Sequence, residues 1–378
     1  MKVLIAGDFC PSNRVVNLLN SSKFDELYGE IRIITQSVDY SIVNLECPVS
    51  FGDEAPIVKC GPSLRSNEKS IEAIKYMGFD AVSLANNHFY DYGENGVIHT
   101  LDLLNKSDLD YVGGGRNIEE ASKTLYKKIG GRILAIVNCC EHEFSIAGES
   151  NGGSNPLNPI KQFYAIKEAK RQADNVLVIV HGGLEGYNLP LPRMQEKYRF
   201  FVEAGANAVV NHHQHCYSGY EVYHGCPIFY GLGNFSFDGS QSKLWTEGFM
   251  VSLNFEAHAV DYELIPYVQG RIEPGIRFMQ NESLCEFKNQ VNALSDIIKS
   301  PCKVEKEFSN HVKQNSTWYR IAFEPWGKGF RVLRSKGWLP SLVSKSKWLS
   351  LADYMICETH SDVIREYFKD IVTKYNSK

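Results

Sequence analysis

This 378-residue sequence predicts a layered α/β fold followed by a mostly helical C-terminal appendage. Three observations carry that expectation. Over the first two-thirds, short β-branched runs alternate with amphipathic segments, the β-α-β-α order of a layered α/β protein. After Ala208, strand-like runs follow one another with short connections, so some strands should be antiparallel. From about Asn281 the pattern turns helical and stays so.

Taken in order, the first element is Lys2–Ala6. Its apolar run is too short for a signal-peptide core and soon meets Asp8, so it reads as a strand. Further strands are expected at Ser41–Leu45, Ala81–Leu84, Ile133–Asn138 and Val176–Val180, then at Ala208–Val210, Pro227–Tyr230 and Gly248–Phe255. Between them, Ser70–Met77, Gly96–Lys106, Ile160–Ala173 and Met194–Ala204 place apolar residues at helical spacing. Gly113–Gly115 and Asn151–Pro159 read as loops. The glycine run lacks the Lys-Ser/Thr of a P-loop, so it is no nucleotide cradle. Leu284–Ile298 is helical, Pro301 interrupts, and further helical pieces follow. The expected organisation is a main domain over 1–280 and a helical, basic and aromatic appendage over 281–378.

Composition narrows the class. An apolar fraction of 43% and a charged fraction of 22% suit a folded globular protein. A formal net charge of −4 gives nucleic-acid binding no global electrostatic support. Nowhere do roughly 18 apolar residues run together, so no transmembrane helix is expected. The ten cysteines lack Cys-x-x-Cys pairing, and Cys139 and Cys140 sit in an apolar strand where buried free thiols are common. The expected compartment is the cytoplasm. Between Pro325 and Ser350 there is no acidic residue, but Lys328, Arg331, Arg334, Lys336, Lys345 and Lys347 occur among tryptophans and other apolar residues. Two readings fit. The favoured one is a solvated face with its tryptophans buried against the core. The other is a peripheral contact with an anionic inner membrane.

The chemistry lies in where acids, amides and imidazoles fall. Asp8 ends the first strand, Asn44-Leu45-Glu46 the second and Asn86-Asn87-His88 the third. His181 ends the strand at Val176, and His213 and His215 follow the next. Ligands of open α/β sheets bind outside the carboxyl ends of strands, so these donors should converge. Any one of them alone would pass for a cap or a turn residue. Capping, however, does not call for imidazoles at successive strand ends. Carboxylate, amide and imidazole donors suit Mn, Fe, Zn or Mg rather than a thiolate-loving ion. Mixed sites with a bridging carboxylate hold two ions about 3.5–4 Å apart, bind phosphate and lower the pKa of a shared water. No protein nucleophile is then needed, in keeping with the absence of a Gly-x-Ser-x-Gly elbow. Glu141-His142-Glu143 could add a donor, or could equally be a surface loop.

Several stretches resemble the CapA family of capsule and poly-γ-glutamate synthesis proteins. They are Ala6-Gly7-Asp8, Val43-Asn44-Leu45-Glu46-Cys47-Pro48, Leu84 to Gly93 with its Asn86-Asn87-His88, and Val180 to Glu185. His212-His213-Gln214-His215 and Pro227 to Asp238, which contains Leu232-Gly233-Asn234-Phe235, complete the set. The motifs keep family order over roughly residues 1–255. The resemblance implies an α/β/β/α sandwich of the calcineurin-like metallophosphoesterase type. It also implies two divalent metal ions. Asp8 and His215 would serve one and Asn87, His181 and His213 the other, with Glu46 bridging. His88 would act beside Asn87 as general acid or transition-state stabiliser. Asn44, Asp91, Glu185 and Asn234 would support the site or touch substrate. Cys10 stands where a typical phosphoesterase has the His of Asp-x-His, Gly182 where the family commonly has Trp, and Asn211 and Gln214 where Gly and Pro are usual.

The expected activity is therefore metal-dependent hydrolysis of a phosphoester in capsule, exopolysaccharide or poly-γ-glutamate synthesis. The rivals are a non-catalytic metal-binding subunit of the synthesis complex, and a γ-glutamyl amide hydrolase using the same metals. Expected partners are an anionic phosphorylated or polymeric substrate and a capsule-synthesis complex, with no nucleic acid.

Overall fold

Strand register and side-chain parity determine what each layer covers. The computed structural model describes residues 1–376 apart from 53, 257, 258, 325 and 326. They fall into two units, one of Met1–Ile57 with Gly61–Val304 and one of Val58–Cys60 with the described residues from Glu305 on. The strands begin with β1 (Lys2–Phe9), β2 (Tyr40–Leu45), β3 (Ala81–Ser83), β4 (Asp110–Val112), β5 (Gly114–Gly115), β6 (Leu125–Ile129), β7 (Arg132–Cys140) and β8 (Gly153–Ser154). They continue with β9 (Asn175–His181), β10 (Ala208–His212), β11 (Tyr220–Tyr223), β12 (Cys226–Phe229), β13 (Asn234–Ser236), β14 (Glu247–Phe255), β15 (Val260–Gln269) and β16 (Ile276–Phe278).

One sheet runs β16-β15-β14-β1-β2-β3-β4, with β13 also paired to β1. Its β1 to β4 are parallel and β14 to β16 antiparallel. The second runs β11-β12-β10-β9-β7-β6, parallel in its centre with antiparallel edges. The central strands are buried on both faces because both faces are covered. Along β1, Val3 and Ile5 join Ile136, Ile179 and Val210 of the second sheet in an inter-sheet core. Leu4 and Ala6 point the other way, into a core shared with Val15, Ile71, Ile74, Met77 and Leu101 of the outer helices. Helices Pro159–Gln172 and Pro192–Ala204 cover the second sheet's far side, packing on β7, β9, β10 and β12. The result is an α/β/β/α sandwich.

All eight strands expected from the sequence form, as do the four helices between them. The glycine run differs from its reading as a loop. Gly114–Gly115 pairs with Gly153–Ser154 in a two-residue ladder, and the space a Cβ would take at Gly114 is filled by Phe89 and Leu84. Helix Asn281–Ile298 buries Phe287 and Val291 in the inter-sheet core, so the larger unit runs past residue 280 to Val304.

The second unit is helical, with Lys328–Ser335, Lys345–Ile356 and Glu358–Asn376 following the end of Pro301–Ala322. Arg334 donates from Nε and one terminal nitrogen to Glu324 at 2.9 and 3.1 Å. The reading of this stretch as a face with buried tryptophans fails at Trp338, which is 71% exposed. Pro325 and Trp326 lie outside the described residues. Among the described residues, no helix is long and apolar enough to cross a membrane.

Candidate metal centre

Both sheets present the carboxyl ends of their parallel strands to one rim. Asp8 lies one residue before the end of β1, at a register shift between strands. Asn44 is near the end of β2, with Glu46 just beyond it. His181 is the last residue of β9, and His213 and His215 follow β10. The loop after β3 is held by its own amides. Asn86 donates to Leu45 O at 2.8 Å and accepts from the His88 backbone at 3.1 Å. Ser145 Oγ donates to Asn87 O at 2.6 Å. Thus Asn86 is the anchor, while its neighbour Asn87 turns its side chain to the rim.

The donors converge around Glu46, which is wholly buried. His181 Nε2 stands 3.4 Å and His215 Nε2 3.6 Å from Glu46 Oε1. His181 Nε2 is also 3.0 Å from Asn87 Oδ1 and 3.1 Å from His213 Nδ1. Across the site, Asp8 Oδ2 lies 3.7 Å from His215 Nδ1, and Asp8 Oδ1 accepts from Asn44 Nδ2 at 2.8 Å. Glu46, His181 and His213 form one group of donor atoms, and Asp8, Glu46 and His215 a second, each within 4.8 Å. Glu46 is common to both.

These residues fit metal ions better than they fit one another. Among the described residues neither Glu46 oxygen makes a hydrogen bond of good geometry; its polar neighbours are the rings of His181 and His215 and the carboxyl of Asp8. A buried carboxylate left that way is costly, which a bound cation would relieve. His213 and His215 also hold left-handed backbone conformations, φ +91° and +54°. Such conformations in non-glycine residues cost of order 1–3 kcal/mol each and cluster at functional sites.

Electrostatics agree with this reading. Burial pushes the Glu46 pKa up, and the charges of Asp8 and Glu185 push it further. Burial opposes ionisation of Asp8 too, but His212, His181 and His215 outweigh it and hold Asp8 well below the ordinary carboxylate range. Burial, then the neighbouring imidazoles, hold His181 well below its ordinary value, against the pull of Asp8. His213 is pushed down to about 3, by burial first and then by His215. Both imidazoles are therefore neutral near pH 7, the form that ligates metals.

The supporting residues take distinct places. His88 Nδ1 lies 2.7 Å from Asp91 Oδ2, a wholly buried oxygen that also accepts from Leu64 N. Asn234 Oδ1 is 2.9 Å from His215 Nδ1, and its amide donates to the carbonyls of His215 and Trp245. Asn44 bridges Asp8 and His181 Nδ1, the latter at 3.3 Å. Glu185 is exposed, and only its charge reaches Glu46. The departures from family pattern also acquire roles. Asn211 donates to Gly182 O and Tyr230 O, tying together the ends of β9, β10 and β12. Gln214 donates to Tyr187 O and Leu189 O, pinning the loop after β9. Cys10 belongs to neither donor group and packs in the outer core.

Two rim residues lie outside the six sequence-derived ligands. His212 Nδ1 is 3.2 Å from Asp8 Oδ1. Glu143 accepts from Asn87 Nδ2 at 3.3 Å and lies 3.9 Å from His213 Nε2. The only sequence signal for Glu143 is its acid-rich segment at the end of β7.

The family model for bacterial capsule synthesis protein PGA_cap matches residues 2–239. Over 246 residues the chain is 32% identical to the capsule biosynthesis protein CapA of Bacillus anthracis, covering 63% of this chain and 60% of that protein. It is 33% identical over 235 residues to the PGA biosynthesis protein CapA of Bacillus subtilis (strain 168), covering 61% and 62%. The chain thus spans about three-fifths of the length of these curated relatives. A solved structure described as a novel phosphatase from Mycoplasma pneumoniae matches at TM-score 0.45 and 16% identity, over 71% of this chain and 93% of that one.

Proposed function

This chain belongs to the bacterial capsule synthesis protein PGA_cap family, and from that premise we propose that it is a metal-dependent phosphoester hydrolase serving capsule polymer synthesis. One observation carries the hydrolase reading: a buried carboxylate, Glu46, with no hydrogen bond of good geometry among the described residues and shared by two groups of ligand-grade donors. Asp8, Glu46 and His215 would hold one divalent ion, and Glu46, His181 and His213, with Asn87, a second. Such ions, when bound, lower the pKa of water and offset the charge of phosphate oxygens.

The chain's own residues do the rest. Asn234 Oδ1 engages Nδ1 of His215 and fixes that ring with Nε2 toward Glu46, while Asn44 Nδ2 lies against Nδ1 of His181. Asp91 engages His88 Nδ1, so the proton His88 gives to a leaving oxygen sits on Nε2. General acid help of this kind is worth about 10²–10⁴ in rate. The polymer context comes from the relatives, whose names attach them to capsule and PGA biosynthesis.

A second reading, a non-catalytic metal-binding subunit of a capsule-synthesis complex, draws support from Cys10. It leaves the Asp8–Glu46–His215 group without the extra imidazole of an Asp-x-His motif. The test is elemental analysis of the purified protein with a bis-p-nitrophenyl phosphate assay in added Mn. Metal with turnover, both lost in His181→Ala, is the expected result. Bound metal without turnover favours the second reading. Turnover retained in His181→Ala defeats the proposal.

A further inference from the structure

The residues from Glu305 on bury little of their own apolar surface. Among the described residues there, Ile321 and Glu324 are buried, and the rest are half-buried or exposed. Phe330, Val332, Trp338, Leu342 and Leu349 are 54%, 56%, 71%, 56% and 63% exposed. So much exposed apolar area within one short stretch marks a surface that meets something other than water. The charges in that stretch say what. It holds six cations and no acid, within a chain of net charge −4. Arg334 is paired with Glu324. Lys336 lies over the Trp338 ring at 5.5 Å, and Lys345 and Lys347 are exposed at the head of their helix.

A second copy docking through this face would oppose like charges, which costs affinity. An anionic lipid surface accepts both features at once. Aromatic and aliphatic side chains enter the boundary between headgroups and acyl chains, while ammonium groups meet phosphates. We propose that residues 328–349 form a peripheral docking surface for an anionic membrane. The indole of Trp338 is its anchor and Lys336, Lys345 and Lys347 are its electrostatic contacts. The surface lies on the membrane and does not span it, since no described helix is apolar enough to cross.

The experiment is flotation of the full chain with phosphatidylcholine vesicles, with and without phosphatidylglycerol. Binding is expected only when phosphatidylglycerol is present, and it weakens as salt screens the charges. Exchanging Lys336, Lys345 and Lys347 for alanine together removes three contacts and lowers partitioning on the order of a hundredfold. Trp338→Ala lowers it at unchanged charge. Circular dichroism of each variant, matched to wild type, separates lost docking from lost folding. The proposal is overturned by equal binding to neutral vesicles, by variants that bind like wild type, or by a full chain that ignores both vesicle types. Concentration-dependent dimerisation abolished by the same variants, without vesicle binding, would assign the face to a second copy instead.

Discussion

Glu46→Gln should make the metal-free protein more stable and the metal-loaded protein less so. In the metal-free state the carboxyl is wholly buried, its oxygens make no hydrogen bond of good geometry among the described residues, and burial with the charges of Asp8 and Glu185 raises its pKa. The sign follows from linkage. A carboxyl whose folded pKa is raised contributes stability below its ordinary value of 4.5, and that stability is lost as pH rises toward the folded pKa. At pH 7 the penalty has a ceiling of about 3 kcal/mol, at roughly 1.4 kcal/mol per unit. Glutamine has nearly the same shape and escapes it. At about 2 °C per kcal/mol, the low end for domains of some 150–250 residues, the variant should melt up to about 6 °C higher in EDTA at pH 7. The advantage should shrink as pH falls to 4.5. With Mn at about a hundred times its dissociation constant, wild type gains about 2.7 kcal/mol per site, roughly 5 °C, and the variant far less. Scanning calorimetry of both proteins in EDTA and in Mn, at two pH values, reads all of this. A variant that melts lower than wild type in EDTA, yet shifts equally with Mn, would refute the assignment and make Glu46 a structural residue.

Three further outcomes are expected. His88→Ala should lower kcat on bis-p-nitrophenyl phosphate by about 10²–10⁴ while metal content holds, because His88 is the proposed acid and not a ligand; equal loss of metal would contradict that split. In the Glu46→Gln background, metal-free stability should fall as pH drops below 6.5, since His213 and His181 resist protonation in the folded state while the unfolded chain takes protons up. The His213→Gln change should flatten that slope in thermal melts, and an unchanged slope would place the effect elsewhere. Gly7→Ala should cost several kcal/mol by denaturant titration, beyond the typical range for point changes, because a Cβ there would run into the Gly233 carbonyl oxygen, where β1 and β13 bring Asp8 beside Asn234; a variant melting like wild type would exclude that close approach.

The local features were legible in the residues themselves. Val3 to Ala6, Ile133 to Val137 and Val176 to Val180 are apolar on both faces, and such runs report buried parallel strands wherever they fold. The strand-end positions of Asp8, Glu46 and His181 followed from the same punctuation. Strands with mixed exposure carry a fainter pattern. In β6 and the first half of β15 the residues alternate between half-buried and exposed, so their hydrophobic signal is weak, and β13 is too short to have a period.

Tertiary structure alone decided that the rim is made by two sheets. The first sheet supplies Asp8 and Glu46, and the second supplies His181, His213 and His215. Periodicity records which way a side chain faces within its own strand, but not which strand from the other layer will lie opposite. That pairing depends on the interdigitation of Val3, Ile5, Ile136, Ile179 and Val210 across the inter-sheet core, an interaction between segments far apart in the chain. It also buries Glu46 between the rings of His181 and His215 and brings Glu143 to Asn87. Both are properties of packed layers and neither is a property of any single segment.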